Sequence, residues 1–131
     1  MKYVLDTNTL IYYFKGIGNV AENLLATAPN DIGIPAIVLF ELEVGIAKSV
    51  SPRKRKQQLQ ELLSLVTIIP FDYVEAKYAA DIRVKLEKKG TPIGPYDVLI
   101  AASAMAKNSI LVTHNKKEFG RISRLKIKDW Y

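Results

Sequence analysis

The feature that most constrains this chain is an alternation of short apolar runs, too brief for helices, with longer segments of helical spacing. The runs are Tyr3-Val4-Leu5, Ile32-Gly33-Ile34, Thr67-Ile68-Ile69 and Ser109-Ile110-Leu111-Val112-Thr113. Most are rich in β-branched residues, as buried strands are. Between them the pattern predicts helices near 8–15, 19–28, 36–48, 52–65, 73–89 and 95–107. Strands that alternate with helices pair in parallel through right-handed crossovers, and the helices cover both faces of the sheet. Leu125 to Tyr131 can add a last short strand. The fold class is therefore α/β, doubly wound: a single domain over residues 1–131 with a mostly parallel twisted sheet of four to five strands.

Local signals refine that frame. Ser51-Pro52 reads as an N-cap and first helical residue, so the basic run Arg53-Lys54-Arg55-Lys56 opens a helix. From Tyr73 to Lys89, Ala76, Ala79, Ala80, Ile82 and Leu86 share an apolar side before Gly90 stops the helix.

Composition excludes several kinds of chemistry. With no cysteine there is no disulfide framework, zinc-thiolate site or cysteine nucleophile. A single histidine, His114, rules out a mechanism built on two. No apolar run approaches the roughly 18 residues of a membrane span. An acid as early as Asp6 does not suit a signal peptide, so the expected setting is the cytoplasm. Lys and Arg number 19 against 13 Asp and Glu, and the resulting charge of +6 suits a polyanionic partner.

Ligands of open parallel sheets bind beyond the carboxyl ends of the strands. Asp6 follows the first strand directly and reads as a helix cap, an Asx-turn or a site acid. Glu41 and Glu43 interrupt an almost wholly apolar helix and lie about 200° apart around it, so only one faces inward. Gly45, one turn beyond Glu41, leaves room on that side, which favours Glu41 as the inward acid and Glu43 as a surface residue. A buried Arg or Lys partner is the structural alternative. Asp97 falls in the first turn of a core helix opened by Pro95, where it caps the helix dipole or faces the sheet edge. Three acids gathered together would need a cation. Without thiols or a histidine pair the donors would be oxygen alone, which selects Mg²⁺ or Mn²⁺ and points to phosphodiester chemistry.

These residues carry a resemblance. Leu5-Asp6-Thr7-Asn8 with Leu10-Ile11, Phe40-Glu41-Leu42 with Gly45 and Lys48-Ser49, and Pro92-Ile93-Gly94-Pro95-Tyr96-Asp97-Val98-Leu99-Ile100-Ala101-Ala102 occur in order along the chain. Leu111-Val112-Thr113-His114-Asn115, Glu118-Phe119, Ile122 and Asp129-Trp130 complete the set. The chain resembles PIN-domain ribonucleases of the VapC type, the toxins of bacterial toxin–antitoxin pairs. The resemblance implies a PIN fold and a divalent-metal endoribonuclease, with Asp6 and Asp97 as metal ligands and Glu41 completing the catalytic acids. Asn115 stands where many members carry a further Asp. Asn8, Thr113, Asn115 and Glu118 are candidates for supporting roles.

The expected reaction is hydrolysis that leaves a 5′-phosphate and a 3′-hydroxyl, with Glu41 orienting or deprotonating the water. Lys116 and Lys117 are the candidate RNA contacts, while His114 reads as a local hydrogen-bonding residue. Tyr12, Tyr13 and Phe14 read as packing or a protein interface. The resemblance further implies a tRNA substrate, initiator tRNA cut in the anticodon loop being the leading case, together with a cognate antitoxin and a homodimer. Two rival readings stand beside it. One is a phospho-acceptor receiver domain using Asp72 and Thr113; the other is a non-catalytic RNA-binding or interaction module with the same fold.

Overall fold

A computed structural model describes residues 1–131. The elements run β1 (Tyr3–Leu5), α1 (Thr7–Lys15), α2 (Val20–Leu25), a 3-10 turn (Pro29–Asp31), β2 (Ile32–Pro35), α3 (Ala36–Ala47) and α4 (Pro52–Leu63). They continue with β3 (Thr67–Ile69), α5 (Tyr73–Lys88), α6 (Pro95–Ala106), β4 (Ile110–Val112), α7 (Lys116–Phe119) and β5 (Ile127–Lys128). The strands form one sheet in the order β3-β2-β1-β4-β5. Every pairing is parallel: Tyr3 faces Ile32 on one side and Ile110 on the other, and Val112 faces Lys128. The expected α/β class is present, with five strands, the upper end of the four to five expected, and a helix in each of the six predicted segments, short at 19–28.

Burial explains why the sheet needs helices on both faces. Every residue of β1 and β2 is buried, and successive side chains in a strand point to opposite faces. Val4, Leu5, Ile34, Leu111 and Val112 are among the least exposed residues of a core that also takes in Leu10, Val38, Leu59, Ile100 and Phe119. α5 closes its first turn with a capping box, in which the Glu75 carboxylate accepts from the Asp72 amide at 2.8 Å. Asp72, the candidate phospho-acceptor, is exposed and is engaged as the cap of α5.

Three local expectations are corrected and one short helix was not expected. The helix predicted over 19–28 stops at Leu25, and the chain turns into Pro29–Asp31, where a proline cannot continue it. Ser51 occupies the N-cap position of α4, yet its side chain makes no capping bond and its amide instead donates to Ser49 Oγ at 3.0 Å. On α5, Ala79, Ile82 and Leu86 are buried, whereas Ala76 and Ala80 are exposed. α7 escapes the periodicity because a single turn with one apolar residue, Phe119, has none to show.

Because the sheet is closed in by helices, a void inside it has little freedom to collapse. Leu111→Ala should cost about 2–5 kcal/mol, whereas Leu25→Ala, at a side chain 76% exposed, should change stability by less than about 0.5 kcal/mol. Thermal unfolding followed by circular dichroism checks both; equal effects would contradict the core assignment.

Candidate active site

In the strand order, β2 and β3 lie to one side of β1, and β4 and β5 to the other. The chain therefore reverses direction at β1 and β4, whose carboxyl ends form the switch-point crevice. Asp6 leaves β1 at this edge, its amide donating to Val112 O at 3.2 Å. It also caps α1, with Oδ1 accepting from the Thr9 amide at 2.9 Å. The capping reading and the site reading of Asp6 are thus both realised by one buried side chain. Burial pushes its carboxyl above the usual range, bonds from Thr113 and Thr9 pull it back, and the charge of Glu41 adds to the rise.

Glu41 comes from the middle of α3 and is half-buried, while Glu43 is exposed. The Thr7 hydroxyl donates to Glu41 Oε1 at 2.7 Å, tying α3 to the first turn of α1. No Arg or Lys pairs with Glu41. Open space lies where a side chain at Gly45 would be; Gly45 and Glu41 line one cavity of about 390 Å³. Asp97, in the first turn of α6, is pushed up to about 6 by burial and then by the charges of Glu118, Asp6 and Glu41. Gly94, the N-cap of α6, lies beside it: a Cβ there would stand in ordinary contact with Asp97 Oδ2, at 3.4 Å.

The loop after β4 supplies the fourth acid at Glu118, one of the candidates for a supporting role. Asn115 does not stand in for an acid. Its amide donates to Thr113 Oγ1 at 3.0 Å and its side chain to Glu118 Oε2 at 3.1 Å. One turn along α7, Glu118 is near enough to Asp97 for the two carboxyls to share a hydrogen bond. Thr113 is fully buried and bonds Asp6, so it links the two halves of the cluster. Asn8 is exposed and bonds none of the acids. Lys116 pairs with Asp129 at 3.2 Å, and Lys117 is exposed with no anion near it. His114 also belongs to that edge arrangement: Nδ1 lies 2.9 Å from Asp129 Oδ2, and its ring stacks on Tyr131 at 4.1 Å. Tyr12 meets both rings edge-on.

Sequence reasoning missed Thr7, whose hydroxyl orients Glu41, and the part played by Asp129 in holding the loop. Thr7 stood beside a recognised acid, but a helix-start threonine is ordinary. Asp129 was visible only as part of a terminal motif.

Asp6 and Asp97 are thus held above the usual carboxylate range, with the charges of Glu41 and Glu118 contributing, and none of the four is paired with a cation of the chain. The donor set is hard oxygen throughout, which fits Mg²⁺ or Mn²⁺. No three His, Cys, Asp or Glu side chains are arranged to hold an ion unaided. That is compatible with Mg²⁺, which keeps most of its waters and takes one or two carboxylates together with substrate phosphate oxygens.

This fold and edge chemistry coincide with a known class: the PIN domain matches residues 3–125. A tRNA(fMet)-specific endonuclease VapC from Salmonella typhimurium is 34% identical over 130 residues, covering 99% of this chain and 98% of that protein. Ribonuclease VapC2 from Rickettsia felis is 38% identical over 138 residues, with the same coverage. The solved VapBC2 from Rickettsia felis bound to a promoter DNA fragment superposes with a TM-score of 0.92 at 40% identity, over 100% of both chains. The chain belongs to the PIN domain family, among its VapC ribonucleases. No helix is long and apolar enough to cross a membrane.

Uncompensated charge at Asp97 opposes folding whenever no cation is present. In EDTA near neutral pH, Asp97→Asn should raise stability by roughly 1 kcal/mol, discounted for its half-exposed position, or on the order of 4 °C in Tm. Differential scanning calorimetry decides it; a lower Tm than wild type would contradict the like-charge reading.

Proposed function

We propose that the chain is a divalent-metal-dependent endoribonuclease in which Asp6 and Asp97 hold the ion and Glu41 is the third catalytic acid. The observation that carries this is the gathering of four carboxylates at the switch-point edge with no cation of the chain to balance them. When bound, Mg²⁺ or Mn²⁺ supplies Lewis-acid polarisation of the phosphate and makes water acidic enough to attack at neutral pH.

The chain's own residues do the rest. Thr7 fixes the carboxylate of Glu41, which orients the attacking water and takes its proton. The water oxygen bonds to phosphorus as the bond to the 3′-oxygen breaks, and that oxygen takes a proton from solvent. The products are a 5′-phosphate and a 3′-hydroxyl. Thr113 and Thr9 hold Asp6 in place, Asn115 holds Glu118, and Glu118 adds a fourth negative group beside Asp97. Exposed Lys117 contacts the RNA backbone, with Lys116 able to leave Asp129 for the same task.

The proposed substrate is cytoplasmic tRNA, with initiator tRNA cut in the anticodon loop. The support is the specificity named for the Salmonella relative. A cognate antitoxin is the proposed partner, because similar chains were solved as VapBC complexes from Rickettsia felis and Salmonella typhimurium. A homodimer over residues 1–131, each copy a single PIN domain, is the proposed assembly.

Incubating antitoxin-free protein with total tRNA and Mg²⁺ or Mn²⁺, then mapping the ends, tests this. One metal-dependent cut is expected, abolished by EDTA and by Asp6→Ala, with Glu41→Gln slower by about 10²–10⁴-fold. Folded protein that binds RNA without cutting tRNA, rRNA or mRNA would favour the non-catalytic module.

A further inference from the structure

The cations of this chain are not spread evenly. A cavity of about 270 Å³ lies between α5, the end of α6 and the segment joining α7 to β5. Lys85, Lys89, Arg121, Arg124 and Lys126 line it with one acid, Asp81, an excess of four positive charges. Lys85 Nζ pairs with Asp81 at 2.9 Å, and Arg121 Nη1 donates to Pro92 O at 3.0 Å. Lys89, Arg124 and Lys126 have no carboxylate partner. Beneath them the wall is apolar, with Leu86 and Ile122 buried. Like charges at the rim of a low-dielectric hollow reinforce one another's potential.

The backbone is bent to make this rim. Only two non-glycine residues have positive φ, Asn108 at 50° and Arg124 at 68°, and both line the cavity. Asn enters the left-handed region readily; Arg does not. Such strain persists where the surroundings enforce it, and it gathers at ligand sites.

We propose that this cavity is a second RNA-binding site, in which Lys89, Arg124 and Lys126 hold backbone phosphates of a folded RNA whose scissile phosphate lies at the carboxylates. It rests on the ribonuclease reading and says where the affinity comes from. A cluster of four acids repels a polyanion, so attraction has to be supplied elsewhere on the chain. Guanidinium and ammonium groups around an open hollow suit phosphate. Position suits it too. Asn108 and Ser109 precede β4 and line the cavity, whereas Thr113 follows β4 and touches Asp6. The two sites therefore flank opposite ends of a three-residue strand that is about 10 Å long. A folded RNA arm reaches both, whereas a mononucleotide reaches one.

The test is RNA binding measured in EDTA, which requires no cleavage. For the Lys89→Ala/Arg124→Ala/Lys126→Ala variant, the Kd for total tRNA should rise at least about tenfold, and the slope of log K against log salt should become shallower by about 2. Arg53→Ala/Lys54→Ala/Lys56→Ala removes the same charge from α4 and should change Kd less than threefold. Arg124→Gly should weaken binding while Tm holds or rises, because glycine is unstrained at that φ; a merely structural Arg124 would not separate the two. Unchanged Kd and slope in the cavity variant would overturn the proposal, as would equal losses in both triple variants. Displacement of RNA by submillimolar inorganic phosphate would overturn it as well, by marking a small-anion pocket. Failure of the ribonuclease reading shows separately, as wild type that cuts no RNA with metal present.

Discussion

Repulsion among four carboxylates is the interaction on which the rest of this structure depends. Asp6 at the end of β1, Glu41 on α3, Asp97 on α6 and Glu118 on α7 reach one crevice, and burial excludes much of the water that would screen them. A fold holds such a group only if something else fixes each side chain. Here the fixing is done by neutral donors: Thr9 and Thr113 on Asp6, Thr7 on Glu41, Asn115 on Glu118. Hydrogen bonds from hydroxyls and amides hold geometry without cancelling charge, which leaves the crevice free to take a cation brought from outside.

The same constraint organises the periphery. The loop that presents Asn115 and Glu118 is anchored at its far side by Asp129, which meets both His114 and Lys116. Burial alone would raise the Asp129 carboxyl, but the Tyr131 amide, His114 and Lys116 bring it below its ordinary value. The chain's end is thereby used to brace one wall of the site, with Tyr131 stacked on His114 and Tyr12 packed against both rings. Positive charge, by contrast, collects beyond the other end of β4, where it attracts a polyanion without neutralising the carboxylates.

Much of this was legible in the sequence, for identifiable reasons. The strands at 3–5, 67–69 and 110–112 were readable because short β-branched runs flanked by helical spacing have few other solutions. Asp6 and Asp97 were readable as acids at a strand end and a helix start, and Glu41 as an acid inside an apolar helix opposite a solvent-facing Glu43. What stayed hidden depends on distance in space. Glu118 was readable as a candidate acid, but its meeting with Asp97 depends on how α7 places it, and Asn115, which stands where an acid is common, is a support bonded to Glu118. Thr7 carried no signal of its own. Ala76 and Ala80 were misplaced because alanine suits either face of a helix, so the pattern alone could not say how wide the buried stripe of α5 is.

The central claim is that the crevice requires an external divalent cation, and calorimetric titration of the free protein with Mn²⁺ tests it most directly. The account predicts saturable binding to wild type, with a rise in Tm of the kind that any ligand of the native state produces. Both should be absent in Asp6→Asn and preserved in Glu43→Gln. Equal binding by wild type and Asp6→Asn, or no binding to wild type with or without RNA, would contradict it.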